Sequence, residues 1–158
     1  MNIEIRSAAK EDAEYLFKLA NDPGTRKNSF NPKPIEWFEH KSWFSEKLQN
    51  PNSNIYIFLL EKQPIGTVRI DKREDETIIS VTLDPNYRGL GLGSKIISLG
   101  CNEFWKDNEN AILAYIKKEN VGSIKSFEKA GFIYYSTSIV EGVESLILKA
   151  KKHEFRSS

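Results

Sequence analysis

Between Val81 and Trp105 a short apolar strand, a turn with three glycines at alternate positions and a long amphipathic helix follow one another directly. Pro85 ends the strand, and Gly89, Gly91 and Gly93 remove Cβ groups where the helix begins, so several N–H groups can turn toward one point. Such a point attracts anions: unpaired N–H groups and the positive end of the helix dipole converge on it, and Arg88 adds a full charge beside it. Ile96, Ile97, Cys101, Phe104 and Trp105 then recur at helical spacing and predict one buried helix face. Cys101, on that face, is expected to be a small buried apolar residue rather than a nucleophile.

Spacing separates three phosphate-binding motifs. A dinucleotide fingerprint, G-x-G-x-x-G, needs glycine at position 94, where Ser94 stands. A P-loop, G-x-x-x-x-G-K-[ST], counted from Gly89 also puts its second glycine on Ser94. What fits is R-x-x-G-x-G, spelled by Arg88, Gly91 and Gly93. Further on, Asn120-Val121-Gly122-Ser123 precedes Phe127-Glu128-Lys129-Ala130-Gly131-Phe132. With both segments in this order and a strand predicted over 111–116 between them, the chain resembles the GCN5-related N-acetyltransferases over roughly its C-terminal half. Taken alone, the glycines would require no more than a tight strand-to-helix connection.

With 158 residues and 39% hydrophobic content, residues 1–158 are read as one globular domain. Lysine and arginine number 23 against 22 aspartates and glutamates, a formal charge of +1, so no global field favours nucleic acid or a membrane. The first residues have no signal-like apolar core and no apolar run reaches spanning length, so a cytoplasmic location is expected. One cysteine and two distant histidines give no metal-ligand spacing, and no metal is expected.

In chain order, residues 3–6 alternate as an edge strand. Ser7 is the expected cap of a first helix carrying Ala13, Leu16, Phe17 and Ala20 on its apolar stripe. Residues 25–33 read as a polar loop long enough to reach over a site. A helix over 35–48 holds Trp37, Phe38, His40, Trp43 and Phe44. Trp37 and Phe44 are expected to pack on the sheet, while His40 and Trp43 share a face that either lines a substrate pocket or packs. Strands over 55–60, 66–70 and 77–83 run antiparallel, and the charged turn 71–76 is expected to be a solvated tip. After the central helix come the strand 111–116, a helix from Val121 closed by Gly131, and a hairpin around Glu141-Gly142. The charged tail 149–158 is expected to fray.

The resemblance implies a mixed α/β fold: a mostly antiparallel central sheet of about seven strands with helices on both faces. It implies acetyl-coenzyme A as co-substrate and a primary amine as acceptor. Arg88, Gly89, Leu90, Gly91, Leu92, Gly93 and Ser94 become the pyrophosphate cradle, with an amide near Thr82 or Leu83 facing the thioester oxygen. Asn120, Ser123 and Phe127 line the cofactor's far arm, although Asn120 reads equally as a helix cap. Many family members place a tyrosine acid four residues after that serine, where Phe127 stands here. Tyr115 on the fifth strand is the best remaining hydroxyl and is named as the candidate catalytic group ahead of Ser80 and His40, with an ordered water as an alternative base, although Tyr115 reads more readily as a half-buried strand aromatic.

In the N-terminal half, the pattern Asn21-Asp22-Pro23, Arg26, Asn28-Ser29, Ile35, His40, Trp43-Phe44 resembles acetyltransferases of surface-sugar biosynthesis, including those acting on the nucleotide-linked precursor of pseudaminic acid. Arg26, Ser29, His40 and Trp43 are the expected acceptor contacts: Arg26 would clamp a diphosphate and Trp43 would stack on a ring. Acetylation of a protein N-terminus or a small polyamine is the alternative chemistry, and a non-catalytic acyl-coenzyme A-binding module the alternative class. A homodimer is compatible with either.

Overall fold

The computed structural model describes residues 2–155. Strand β1 (Ile3–Ser7) leads through a 3-10 turn, Lys10–Asp12, into three helices: α1 (Ala13–Ala20), α2 (Pro23–Asn28) and α3 (Trp37–Gln49). Three antiparallel strands follow, β2 (Ser53–Leu60), β3 (Gln63–Lys72) and β4 (Thr77–Leu83). Helix α4 (Leu92–Phe104), strand β5 (Ile112–Lys117), helix α5 (Val121–Ala130) and the hairpin β6 (Ile133–Val140) and β7 (Val143–Ala150) complete the chain. The seven strands form one sheet in the order β1-β2-β3-β4-β5-β7-β6, parallel only where β4 meets β5.

Strand periodicity distributes the core between two faces. Ile55 and Ile57 of β2 pack with Leu16 of α1 and Phe44 of α3 on one side. Their neighbours Tyr56 and Phe58 join Ile96, Ile97 and Phe104 of α4 on the other. Helices therefore cover both faces of the sheet, as expected. Cys101 is fully buried in α4 and burial pushes its thiol far above the ordinary range, so it is inert packing. Gly131 closes α5 at φ 116°, and Glu141 and Gly142 take φ 48° and 80° in the tight hairpin turn.

Four local expectations need correction. Ser7 belongs to β1 and caps nothing; the entry to α1 is organised by Asp12, whose carboxylate accepts the Ala9 N–H and both arms of Arg6, each at 2.8 Å. That bidentate pair holds the Asp12 carboxyl below its usual range. Residues 23–28 are helical instead of looped, because Asp22 accepts the Thr25 N–H at 3.1 Å and Pro23 sits at the first helical position. Asp71 is no solvated tip. It is 6% exposed and accepts from Ser53 Oγ at 2.6 Å, Arg69 Nε at 2.9 Å and Lys47 Nζ at 3.5 Å. The tail is anchored through Phe155, whose ring meets Trp105 edge-on at 5.0 Å and Phe132 at 6.1 Å, while residues 156–158 lie outside those described.

Candidate active site

The site begins as a defect in the sheet. Strand β5 pairs with β4 only at Thr77–Ile112 and Ile78–Leu113, and beyond those residues the two strands splay into a wedge. Which β4 groups face the wedge follows from its other neighbour. Arg73 N–H donates to Glu76 O at one end of the β3–β4 ladder, and Asp84 N–H donates to Ile65 O at the other, both at 2.8 Å. Hydrogen-bonded pairs alternate in an antiparallel ladder, so Ile78, Ser80 and Thr82 commit their backbone groups to β3. Ile79, Val81 and Leu83 turn theirs the other way; the Ile78–Leu113 bridge spends the Ile79 N–H on β5, so Val81 and the Leu83 N–H are what face the gap. Of the two amides expected to face a thioester oxygen, Leu83 is thus available, Thr82 is not, and Val81 joins it.

At the mouth of the wedge stands the N-terminus of α4. Gly91 is its N-cap at φ 75° and Gly89 precedes it at φ 78°, both in the left-handed region that favours glycine. A Cβ at either position would meet nothing within 4 Å, so conformation, not crowding, calls for glycine there. No side chain caps α4, which leaves its first N–H groups bare. Gly93 is needed for closeness: a Cβ would come within 3.0 Å of Ser126 Oγ on α5.

A cavity of about 950 Å³ joins the wedge to the space beneath α1–α3. Thr82, Leu83, Arg88, Gly89, Gly91, Leu92, Gly93, Asn120, Ser123 and Phe127 all line it, as do Tyr115, Arg26, Ser29, His40 and Trp43. Leu90 and Ser94 do not: Leu90 projects into solvent and the buried Ser94 hydroxyl turns back to Gly91 O at 3.5 Å. Asn120 does cap α5, accepting the Ser123 N–H at 3.3 Å. Phe127 is buried edge-on against Phe132 at 5.0 Å and offers packing only. Arg88 is tied to α2 through Asp22 Oδ2 at 2.9 Å and Thr25 Oγ1 at 3.2 Å, while its Nε donates to Leu83 O at 3.2 Å.

Two expected roles fail on geometry. Arg26 commits its guanidinium to Ala20 O at 2.6 Å, Asn31 O at 2.9 Å, Lys33 O at 3.2 Å and Ser29 Oγ at 3.0 Å. Ser29 in turn donates to Thr25 O at 2.6 Å. Both side chains brace the segment after α2 and leave no bidentate fork for a diphosphate. Arg26→Ala is therefore expected to cost about 2 kcal/mol of stability and to raise the acceptor KM without changing coenzyme A affinity. Thermal melts and calorimetric titration of the variant check this. Tyr115, the candidate acid, donates its hydroxyl to Glu76 Oε2 at 2.6 Å, and this bond with partial burial pushes its pKa up to about 12. A proton held between a tyrosinate and a carboxylate is poorly placed for a leaving thiolate. Steady-state kinetics of Tyr115→Phe should show turnover within about threefold of wild type.

The acceptor half is aromatic and cationic. His40 is 4% exposed, its ring flanked by Phe17, Trp37, Trp43 and Phe44 with centroids 5.4, 6.2, 5.8 and 6.2 Å away. Burial lowers its pKa despite a hydrogen bond with the Ala13 backbone, and Nε2 has no partner. Trp43 has one face covered by Arg69, whose Cζ lies 4.8 Å from the ring centroid. The sequence reading missed Arg69 and Lys117, which also line the cavity. Arg69 was legible as a polar alternate on a strand roofed by α3. Lys117 lay one residue past the predicted end of β5.

The family model described as an acetyltransferase (GNAT) domain matches residues 2–133, and the chain belongs to that family. An uncharacterized N-acetyltransferase of Methanocaldococcus jannaschii is 22% identical over 136 residues, covering 81% of this chain and 59% of that protein. A mycothiol acetyltransferase of Corynebacterium glutamicum is 24% identical over 114 residues, covering 70% of this chain and 39% of its own length. The chain thus spans about half the length of these curated relatives. The fold matches the spermidine N-acetyltransferase of Vibrio cholerae, solved in complex with CoA and spermine, with a TM-score of 0.85, 14% identity and 96% of each chain covered.

Proposed function

We propose that this chain transfers the acetyl group of acetyl-coenzyme A to a primary amine, and that the amine belongs to a nucleotide-linked amino sugar. The observation that carries the first part is the junction of a splayed strand pair with an uncapped helix N-terminus. Extended backbone groups of Val81 and the Leu83 N–H can pair with a pantetheine arm, while the bare N–H groups at Gly91 and beyond receive a diphosphate. The thioester supplies an activated acyl group; the chain positions the attacking amine and offers the Val81 or Leu83 amide to the carbonyl oxygen as charge develops.

Charge supports the acceptor class. Arg69, Arg88 and Lys117 line the cavity along with Arg26, whereas Glu39 is the lone carboxylate in its lining among the described residues. Asp71 and Asp22 pair with Arg69 and Arg88 from outside that lining, which leaves Arg26 and Lys117 against Glu39. A polycation such as spermidine would meet this positive excess as like charge, and an acceptor carrying phosphate would meet its complement. His40 contributes its ring to the lining, but its unpartnered Nε2 is buried and out of an acceptor's reach.

Release of free thiol from acetyl-coenzyme A, followed over nucleotide-linked amino sugars, spermidine, an aminoglycoside and a peptide amine, tests the reading. Acceptor-dependent release with the nucleotide sugars alone is expected. One observation favours a second reading, a non-catalytic acyl-coenzyme A-binding module: Phe127 is packing and Tyr115 is tied to Glu76, so neither serves as an acid. Cofactor binding without thiol release for any acceptor would select that module.

A further inference from the structure

Lys117, the last residue of β5, carries the least compensated charge in the cavity. It is 7% exposed and lines the cavity wall. Its Nζ donates to Lys27 O of α2 at 2.9 Å, and among the described residues it forms no ion pair. Of its cationic neighbours in the lining, Arg69 and Arg88 are held by Asp71 and Asp22, and Arg26, which has no ion pair either, is satisfied by four acceptors where Lys117 has one. An ammonium has three donors, and a single carbonyl dipole does not replace the water lost on burial. A cation sequestered beside an open cavity with donors unspoken for is poised for an anion.

Position selects the anion. Lys117 sits at the end of β5 where that strand has parted from β4, and Asn120, Gly122 and Ser123 follow it in the same lining. The bare first turn of α4 approaches from the β4 side. We propose that Lys117 binds a phosphate or diphosphate group entering the wedge, acting from the β5 lip while α4 acts from the other. The group belongs either to the cofactor or to a nucleotide-linked acceptor. The inference rests on reading this cavity as an acyl-coenzyme A site, and it adds a residue from outside the glycine turn.

Calorimetric titration of wild type, Lys117→Met and Lys117→Arg with coenzyme A, with pantetheine and with uridine diphosphate tests it. Lys117→Met is expected to weaken coenzyme A or uridine diphosphate by about tenfold or more, leave pantetheine unchanged, and be rescued to within about threefold by Lys117→Arg. A loss for coenzyme A assigns the cofactor's diphosphate, and a loss for uridine diphosphate assigns the acceptor's. The unliganded Lys117→Met protein should melt at or above the wild-type temperature, because an unpaired buried charge has been removed. Affinities within about threefold of wild type for both phosphate ligands overturn the proposal. So does a melting temperature lowered by more than about 5 °C or failure to fold, since the lysine would then belong to the scaffold. Wild-type protein that ignores coenzyme A would sink the wider reading of the cavity instead.

Discussion

Replacing Gly91 by valine is expected to weaken coenzyme A binding about 100-fold while the protein stays folded. At φ 75° the N-cap of α4 occupies a region that costs a side-chain-bearing residue roughly 1–3 kcal/mol, with β-branched residues at the upper end. No neighbour lies within 4 Å of the added Cβ, so the chain is free to relieve the strain by rotating out of that region. Rotation turns the first N–H groups of α4 away from their common point, and a loss of about 2.8 kcal/mol in binding corresponds to the hundredfold effect. The apolar face of α4 is anchored by Ile96, Ile97 and Phe104, all essentially buried, which keeps the global fold intact. Titration with coenzyme A and a thermal melt together check the split: affinity retained within about threefold would show that the turn's conformation does not govern binding.

Gly66→Val is expected to act in the opposite way, through stability first. Gly66 on β3 faces Leu83 on β4, and a Cβ there would fall 2.6 Å from Thr82 O, 3.2 Å from Leu83 Cα and 3.2 Å from Ile96 Cδ1. Two of those atoms are backbone and cannot rotate aside. Overpacking against a central strand pair should cost about 3 kcal/mol or more, a fall of roughly 6–12 °C in melting temperature for a domain of this size. Gly100→Ala is the informative comparison, since its Cβ would come within 2.9 Å of a side-chain atom, Val68 Cγ1, which has some freedom to give. A Gly66→Val protein that melts within about 2 °C of wild type would mean that β3 and β4 are less closely apposed than described.

The same two glycines show what a sequence can and cannot disclose. Gly91 announces itself through local spacing, because strand, turn and helix are consecutive and the need for φ above zero is a property of one residue. Gly66 looks like an ordinary strand glycine until β4 and α4 are laid against it. The strands, α4, α5 and the cap at Asn120 were legible for the first reason: periodicity and turn chemistry are local. Helix α2 was overlooked although Asp22-Pro23 is a cap followed by a first-turn proline, since the polar run after it outweighed that signal. Arg26 and Ser29 were assigned to the site through a spaced resemblance, and Tyr115 through its place on the fifth strand. Whether a guanidinium or hydroxyl is free depends on carbonyls and carboxylates brought near by folding, and Ala20, Lys33 and Glu76 had claimed them. Lys117 was missed for the converse reason, because the want of a counter-charge is visible only when the surroundings are.

Whether α4 grips a diphosphate is decided by calorimetric titration of the wild-type chain with coenzyme A and, separately, with pantetheine, since the first adds a 3′-phosphoadenosine diphosphate portion whose diphosphate would lie at the bare N–H groups of α4. Saturable one-to-one binding of coenzyme A, tighter than pantetheine by about tenfold or more, is expected. Correctly folded protein that gives no heat with coenzyme A, or binds both ligands equally, would contradict it.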